Sequence, residues 1–394
     1  MAAFGSLRFH RGMIESVYLH VPFCAKKCEY CAFYSEGTDG ARIERYVQSL
    51  LSEIKSVATL AAPKTVFFGG GTPSLLKLDQ WRRIFQVFHE VAWDQATEFT
   101  VECNPATVSP AKAALFRENG VNRVSMGVQS LNEGLLERLG RVHTRDMVFR
   151  SYQTLRDAGF ENINLDLMFA IPGQTMEMWR QTLAEILELQ SDHLSCYEVI
   201  YEQDTPLFEQ MQAGEFDVDE AVASEMYEVL VQTLEQHGFE QYEIANFARK
   251  IPGKVENLPT RACRHNVNYW VGGEYLGLGP AAAGHVAGER YQNWSNTDLY
   301  CEAIEKGRLP RDSGERLNGL AKASETAAFS LRMNRGIDLA SFQTRTGFEF
   351  QETWRSESQQ LVDQGWGEYV GGTFRLTRQG FRFADAAAAE LLKP

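Results

Sequence analysis

Strand-like and helix-like periodicities alternate through the first half of this chain, and no other feature of the sequence restricts the fold as tightly. Apolar or period-2 runs occupy residues 17–23, 65–68, 98–102, 123–128, 163–169 and 193–200. Helical patterns fall between them, at residues 41–60, 78–91 and 110–118, twice between 132 and 158, and at 176–189. A strand, a helix and a further strand build parallel pairs through right-handed crossovers. The six strand runs therefore predict an α/β fold, a partial (β/α)6 TIM-like barrel, with its chemistry on the loops that follow the strands.

Beyond residue 201 the alternation stops. A helix is expected at about 219–236, where Val222, Met226, Leu230 and Leu234 recur every four residues before His237 and Gly238. A loop-rich, glycine-dense stretch spans residues 253–288. A small helical module should follow, with helices near 315–332, 339–344 and 351–363, strands 367–370 and 373–376 around Gly371 and Gly372, and a last helix after Thr377. That order is winged-helix-like. Residues 311–394 carry eleven basic and eleven acidic side chains, which suits a packing or partner-docking unit better than a nucleic-acid reader. The expected organisation is a barrel at 1–240, a connecting segment at 241–313 and the module at 314–394.

A net charge of -13 also argues against a nucleic-acid partner, because phosphate is recognised mainly by Lys and Arg. Residues 1–12 lack the apolar core of a secretory signal, and no run of about 18 apolar residues crosses a bilayer. A cytoplasmic protein is expected, with peripheral membrane contact left open. Of seven cysteines three crowd into eight residues, which is no disulfide framework.

Those three, Cys24, Cys28 and Cys31, are spaced Cys-x3-Cys-x2-Cys on the loop leaving the first strand. Thiolates hold iron-sulfur clusters, and three rather than four leave one iron of a cubane open. The alternative is zinc on three cysteines and a histidine, but no His follows at ligand spacing. Gly69, Gly70, Gly71 and Thr72 follow the second strand, where successive glycines either admit a ligand to the backbone or simply form a turn. Glu102, Gln129 and Asp166 are polar among apolar neighbours, as a shared ligand or separate structural salt bridges would require. Arg141 reads as a ligand contact or a helix cap. Tyr18 and Tyr30 flank the cysteines, where aromatic residues are usually core. His20 is expected to be a satisfied core histidine, and Cys103, Cys196 and Cys301 buried small hydrophobes.

The segments VYLHVPFCAKKCEYCAF, FFGGGTPSLL, VECNPATV, VSMGVQSLNEGLLERLGRVHT, NLDLMFAIPGQT, QYEIANFA and CRHNVNYW resemble the radical S-adenosylmethionine (SAM) superfamily. Within it they are similar to the anaerobic coproporphyrinogen III oxidase family, over nearly the whole chain. The resemblance implies a [4Fe-4S] cluster on Cys24, Cys28 and Cys31 with SAM on the open iron, and reductive cleavage of SAM to a 5'-deoxyadenosyl radical. It implies that Gly70 and Glu102 contact SAM and that Tyr18 and Tyr30 lie on its adenosyl side. Gly71, Thr72, Gln129, Arg141 and Asp166 would face a second SAM or the substrate. An electron donor such as flavodoxin or ferredoxin is implied as well.

The family has two branches, oxygen-independent oxidases and HemW-type heme chaperones. The oxidases resembled here place a further cysteine two residues after the third ligand and carry a longer N-terminal arm. This chain has Phe33 there, and only 17 residues precede Tyr18. Both departures, with the His-Asn-x-x-Tyr-Trp pattern inside residues 263–270, point to the chaperone branch, which binds heme and passes it to an acceptor protein. Cys263 and His265 are then a candidate heme-ligand pair, the alternative being that their segment packs on the barrel. Radical decarboxylation of coproporphyrinogen III and methyl transfer with two SAM molecules remain the rival activities, and no catalytic residue is assigned.

Overall fold

A computed structural model describes residues 13–249 and 258–393. The readings of residues 1–12 and of 253–257 lie outside the described residues. The expected strands are β1 (Ile14–Val21), β2 (Ala61–Gly70), β3 (Glu98–Cys103), β4 (Arg123–Gln129), β5 (Ile163–Phe169) and β6 (His193–Glu198). They pair in parallel in the order β6-β5-β4-β3-β2-β1. The crossovers are α1 (Gly40–Val57), α2 (Leu78–Glu90), α3 (Pro110–Glu118), the pair α4 (Glu133–Arg138) and α5 (Arg145–Asp157), and α6 (Met176–Glu188). Their starts are chemically specified: the side chains of Asp39, Ser109, Thr144 and Thr175 each accept a first-turn amide.

Strand alternation separates two environments. The outward residues, among them Val17, Leu19, Val66, Phe68, Val101, Met126 and Leu165, pack on Tyr46, Trp81, Phe88 and Trp179 in the main core. Burying each such side chain is worth about 1.5–3 kcal/mol. The intervening residues form polar ladders: Ser16 with Thr65 (2.8 Å), Asn164 with Ser125 and Asp166 (both 2.7 Å), and His193 with Asn164 (2.6 Å). The concave face is therefore polar and hydrogen-bonded, and the apolar core lies between sheet and helices.

The sheet is wider than the six expected strands. After α7 (Pro206–Gln212) and α8 (Glu220–Gln236), β7 (Phe239–Gln241) and β8 (Asn246–Arg249) add antiparallel strands beyond β6. The stretch expected to be loop contains α9 (Arg264–Trp270), β9 (Leu276–Leu278), which pairs in parallel with β1, and β10 (Ala283–Val286). Runs of three or four residues are too short to show a period. Residues 315 and 316, expected in a helix, close β12 (Arg311–Arg316), which pairs with β11 (Glu289–Asn293) beside β10. Between these two strands lies α10 (Thr297–Glu305), and α11 (Gly319–Ser330) begins only after the capping Asn318.

The C-terminal module has its own core around Trp354, Phe350, Phe342 and Phe374. It consists of α11, β13 (Ile337–Asp338), α12 (Leu339–Thr346), α13 (Phe350–Thr353), α14 (Arg355–Asp363), β14 (Gly367–Val370), β15 (Thr373–Leu376), α15 (Arg378–Phe381) and α16 (Ala384–Glu390). Gly371 and Gly372, both at positive φ (+57° and +82°), make the hairpin turn. Among the described residues no helix is long and apolar enough to cross a membrane.

One buried carboxyl fastens the late strands to the barrel. Glu53 of α1 accepts from Gly279 N–H (2.8 Å), Tyr300 O–H (2.7 Å) and Asn293 Nδ2 (3.3 Å), and burial outweighs these donors to raise its pKa to about 7. The folded state thus holds a proton that the unfolded chain releases in the ordinary carboxylate range. Stability contributed by Glu53 is present below that range and is lost as pH rises to about 7, by up to about 3 kcal/mol. Thermal melts across this window should show a falling midpoint, and Glu53→Gln should make the fall shallower by the share Glu53 contributes, the rest coming from the other raised carboxyls, Glu102 first among them. An equal pH slope in the variant would remove Glu53 from this account.

Candidate functional site

The loop between β1 and α1 leaves the C-terminal end of the sheet and is pinned at several points. Cys24 N–H donates to Glu36 O (2.9 Å), Glu29 N–H to Leu139 O (3.1 Å), and Leu207 N–H to Glu29 O (2.9 Å). A turn joins Cys31 N–H to Cys28 O (3.2 Å). Cys24, Cys28 and Cys31 are half-buried free thiols. Burial raises the pKa of Cys24 and Cys31, opposed at Cys24 by the Thr72 and Ser35 hydroxyls and at Cys31 by the Phe33 backbone. Cys24 Sγ lies 3.6 Å from Thr72 Oγ1.

Arg141 ties this loop to the barrel. Its Nη1 reaches Cys28 Sγ at 3.4 Å and its Nη2 donates to the Gly127 carbonyl at 2.7 Å, so it faces the thiols rather than capping a helix. Burial opposes its charge, while the Tyr30 phenol, the Cys28 thiol and Asp166 hold its pKa above the ordinary value. Tyr30 packs with Leu135, Leu139, Met168 and Leu207, and burial raises its phenol pKa. Gln129 ends β4 at φ +66°, beside a register shift in the β4–β5 pairing. That left-handed backbone costs a non-glycine residue energy and is typical of functional strand ends.

The glycine loop is required sterically. A Cβ on Gly69 would meet Tyr18 and Phe67 at 3.0 Å and Glu102 Cδ at 3.2 Å. Gly70 has φ +107°, and its Cβ would strike the His20 imidazole at 2.6 Å, so its need for glycine comes from His20 and its backbone. At Gly71 a Cβ would stand 2.7 Å from the Phe23 carbonyl oxygen. His20 is the satisfied core histidine expected: Nε2–H donates to Tyr34 O at 3.0 Å, Nδ1 accepts from Tyr18 O–H at 3.1 Å, and burial lowers its pKa to about 4.

Glu102 is raised to about 8, first by burial and then by Asp166, against a hydrogen bond from Gly70 N–H. Asp166 is raised by burial, with Asn164 and Arg123 opposing. Tyr18 is raised by burial and by Glu102. The strands thus bring Tyr18, Gly70, Glu102, Asp166 and Arg141 to one polar lumen beside the cysteine loop. Arg123 and Thr100 belong to this lumen and were missed by sequence reading. Arg123 is 2% exposed, and its Nε, like Thr100 Oγ1 and Arg141 Nε, is buried without a partner among the described residues. The alternation of polar and apolar residues in Arg123-Val124-Ser125 was the available signal.

Cys263 and His265 are not at this lumen mouth. Both His265 nitrogens are engaged, Nδ1 with Thr65 Oγ1 (2.9 Å) and Nε2 with Tyr269 O–H (2.7 Å), and the ring stacks on Phe67 with centroids 5.2 Å apart. Cys263 is fully buried with its thiol on Glu98 Oε1 (3.7 Å), and burial raises its pKa to about 12. Thr65 and Glu98 lie in the N-terminal halves of their strands, so α9 packs under the barrel. In this arrangement both His265 nitrogens are taken up by protein hydrogen bonds and Cys263 is enclosed, which is what the packing alternative expects. Cys103, Cys196 and Cys301 are buried, as expected.

The residues fit an iron-sulfur cluster with SAM. Among the described residues no three His, Cys, Asp or Glu groups converge as ligands of a single ion do. A cubane instead takes each thiolate on a different iron, which spreads its ligands, and Arg141 lies where thiolate charge needs compensation. The unpaired buried donors and the raised Glu102 line a lumen suited to a polar, zwitterionic molecule.

Residues 18–186 match the family model of the radical SAM superfamily, and residues 317–383 that of the HemN C-terminal domain. The fold superposes on coproporphyrinogen III oxidase (HemN) from Escherichia coli with a TM-score of 0.82, covering 97% of this chain and 90% of that one at 22% identity. Fold and site define a radical SAM barrel with a HemN-type C-terminal module, and the superfamily's cofactors are a [4Fe-4S] cluster and SAM. Heme chaperone HemW of Bacillus subtilis (strain 168) is 34% identical over 374 residues, 93% of this chain and 96% of that protein. HemW of Lactococcus lactis is 34% identical over 352 residues, 89% and 90% of the two chains. A zebrafish (Danio rerio) relative, radical S-adenosyl methionine domain-containing protein 1, mitochondrial, is 33% identical over 82% of this chain and 73% of its own. The chain belongs to the HemW family of heme chaperones.

Proposed function

We infer that this protein binds heme and hands it to an acceptor protein in the cytoplasm, with a [4Fe-4S] cluster on Cys24, Cys28 and Cys31 and SAM beside it. The observation that carries this reading is the near end-to-end identity with heme chaperones, 34% over 93% of this chain. Phe33, 71% exposed, stands where the oxidase branch has its further cysteine and supports the same branch.

When bound, the cluster and SAM supply one-electron chemistry. The chain's residues do the rest. Arg141 balances thiolate charge and ties the cysteine loop to β4. Glu102, Gly70, Tyr18 and Tyr30 would hold the amino and adenosyl parts of SAM, while Gly71 and Thr72, beside the cysteine loop, and Gln129 and Asp166 would face a second SAM or the substrate. The barrel at residues 1–240 carries this machinery, the 241–313 segment closes its edge, and the neutral module at 314–394 docks partners. A flavodoxin- or ferredoxin-like protein supplies the electron.

The test is heme transfer. Protein loaded anaerobically with hemin, mixed with a heme-stripped b-type cytochrome, should fill the cytochrome at least about tenfold faster than the same hemin held on serum albumin. Equal rates from the two carriers would contradict a chaperone role.

A further inference from the structure

A second cavity opens where the β1–β9 edge meets the C-terminal module. It encloses about 510 Å³, within the range of cofactor sites. Its walls are aromatic: Tyr18 from β1, Tyr269 and Trp270 from α9, Tyr275, and Phe329 from α11. Tyr269 and Tyr275 meet edge-on with centroids 4.5 Å apart, and Phe329 keeps 40% of its surface exposed. Two glycines form the floor, where a Cβ on Gly272 would stand 2.8 Å from Thr326 Oγ1 and one on Gly273 would collide with Asn268.

Two polar groups converge on these walls, His285 and Lys322. His285 of β10 lies with Nδ1 at 3.5 Å from the Gly273 carbonyl, a long contact that a proton on Nδ1 satisfies. Its Nε2 then keeps a lone pair, and no described residue hydrogen-bonds it. Burial, then Lys322, lowers the pKa of His285, so the ring is neutral at neutral pH; Glu274 and the Gly273 carbonyl act against this, and Arg290 with it. Lys322 has no carboxylate partner among the described residues. Arg290, by contrast, is held by Glu315 and Glu325.

Flat apolar walls, a neutral imidazole with a free nitrogen, and an ammonium suited to a carboxylate together match the surface of an iron porphyrin. We propose that this cavity is the heme site, with His285 Nε2 as axial ligand and Lys322 receiving a propionate. This rests on the heme-carrying reading above and assigns it to residues. The Gly273 carbonyl acts as the outer partner that orients a metal-bound histidine. Tyr18, the shared wall, is also in contact with His20 and close to Gly69 in the lumen, so heme here would lie next to the SAM site.

The experiment is an anaerobic hemin titration of the full chain, read by the Soret band. Wild type should give an imidazole-type band. His285→Ala should weaken hemin binding at least about tenfold and shift the band, and added imidazole should restore it. Lys322→Glu, a half-buried change, should weaken binding several-fold without moving the band. His265→Ala should leave the band where it is. Circular dichroism and cluster absorbance matching wild type establish that each variant is folded. Unchanged band and affinity in both His285→Ala and Lys322→Glu would overturn this site while leaving heme binding intact, whereas a wild-type protein that takes up no hemin would overturn the chaperone reading itself.

Discussion

Cys28→Ala, reconstituted anaerobically with iron and sulfide, loses the broad visible absorbance of a [4Fe-4S] cluster and most of its iron. Cys28 is the thiol that Arg141 contacts at 3.4 Å, in the middle of the three-cysteine loop. With only two thiolates left, the cubane has two irons without a protein ligand, and the loss should be close to complete. Cys103, Cys196, Cys263 and Cys301 are buried and cannot substitute. The same variant separates iron-sulfur from zinc, because a zinc site would show no visible absorbance to lose. Wild-type iron content and spectrum in Cys28→Ala would refute the ligand set.

Gly71→Val should be nearly as damaging, for a reason that does not depend on any ligand. Gly71 N–H donates to Val21 O at 2.8 Å and Thr72 N–H to Phe23 O at 2.8 Å, which stitches the end of β2 to the start of the cysteine loop. An added Cβ would lie 2.7 to 2.9 Å from the backbone O, C and N of Phe23, and backbone atoms cannot rotate away as a side-chain tip can. Overpacking of this kind costs about 1–3 kcal/mol or more. The strain falls on the residue next to Cys24, so cluster loading should drop several-fold along with the melting temperature. Gly37→Ala is the control, since a Cβ there meets nothing within 4 Å. Equal loading and melting in the two variants would contradict this account of the loop. Gly70→Val is a poorer probe of SAM binding, because the collision with His20 would mask any effect on the ligand.

Much of this was legible in the sequence, because the physics involved is local. Alternation in Ile163–Phe169 and in the hairpin strands Gly367–Val370 and Thr373–Leu376 gave their bounds as observed. The cysteine spacing and the glycine run marked two loops, and the isolated carboxylates two strand positions, that the fold brings to one lumen. The rest depended on pairing across long separations. Leu276–Leu278 is a strand only because it adds to β1, and nothing in three residues announces it. His265 looked available because its partners, Thr65 and Tyr269, include one 200 residues distant in the chain. His285 carried no motif at all, and only the packing of β10 against the C-terminal module shows it beside aromatic walls.

On the function proposed above, this chain carries heme and does not decarboxylate porphyrinogens. That function is tested most directly by incubating reconstituted protein anaerobically with SAM, a low-potential reductant and coproporphyrinogen III, reading products by mass spectrometry, and measuring heme bound by the same preparation. Intact coproporphyrinogen and about one heme per chain are expected. Loss of carbon dioxide from the porphyrinogen would contradict that function and make the protein an oxidase.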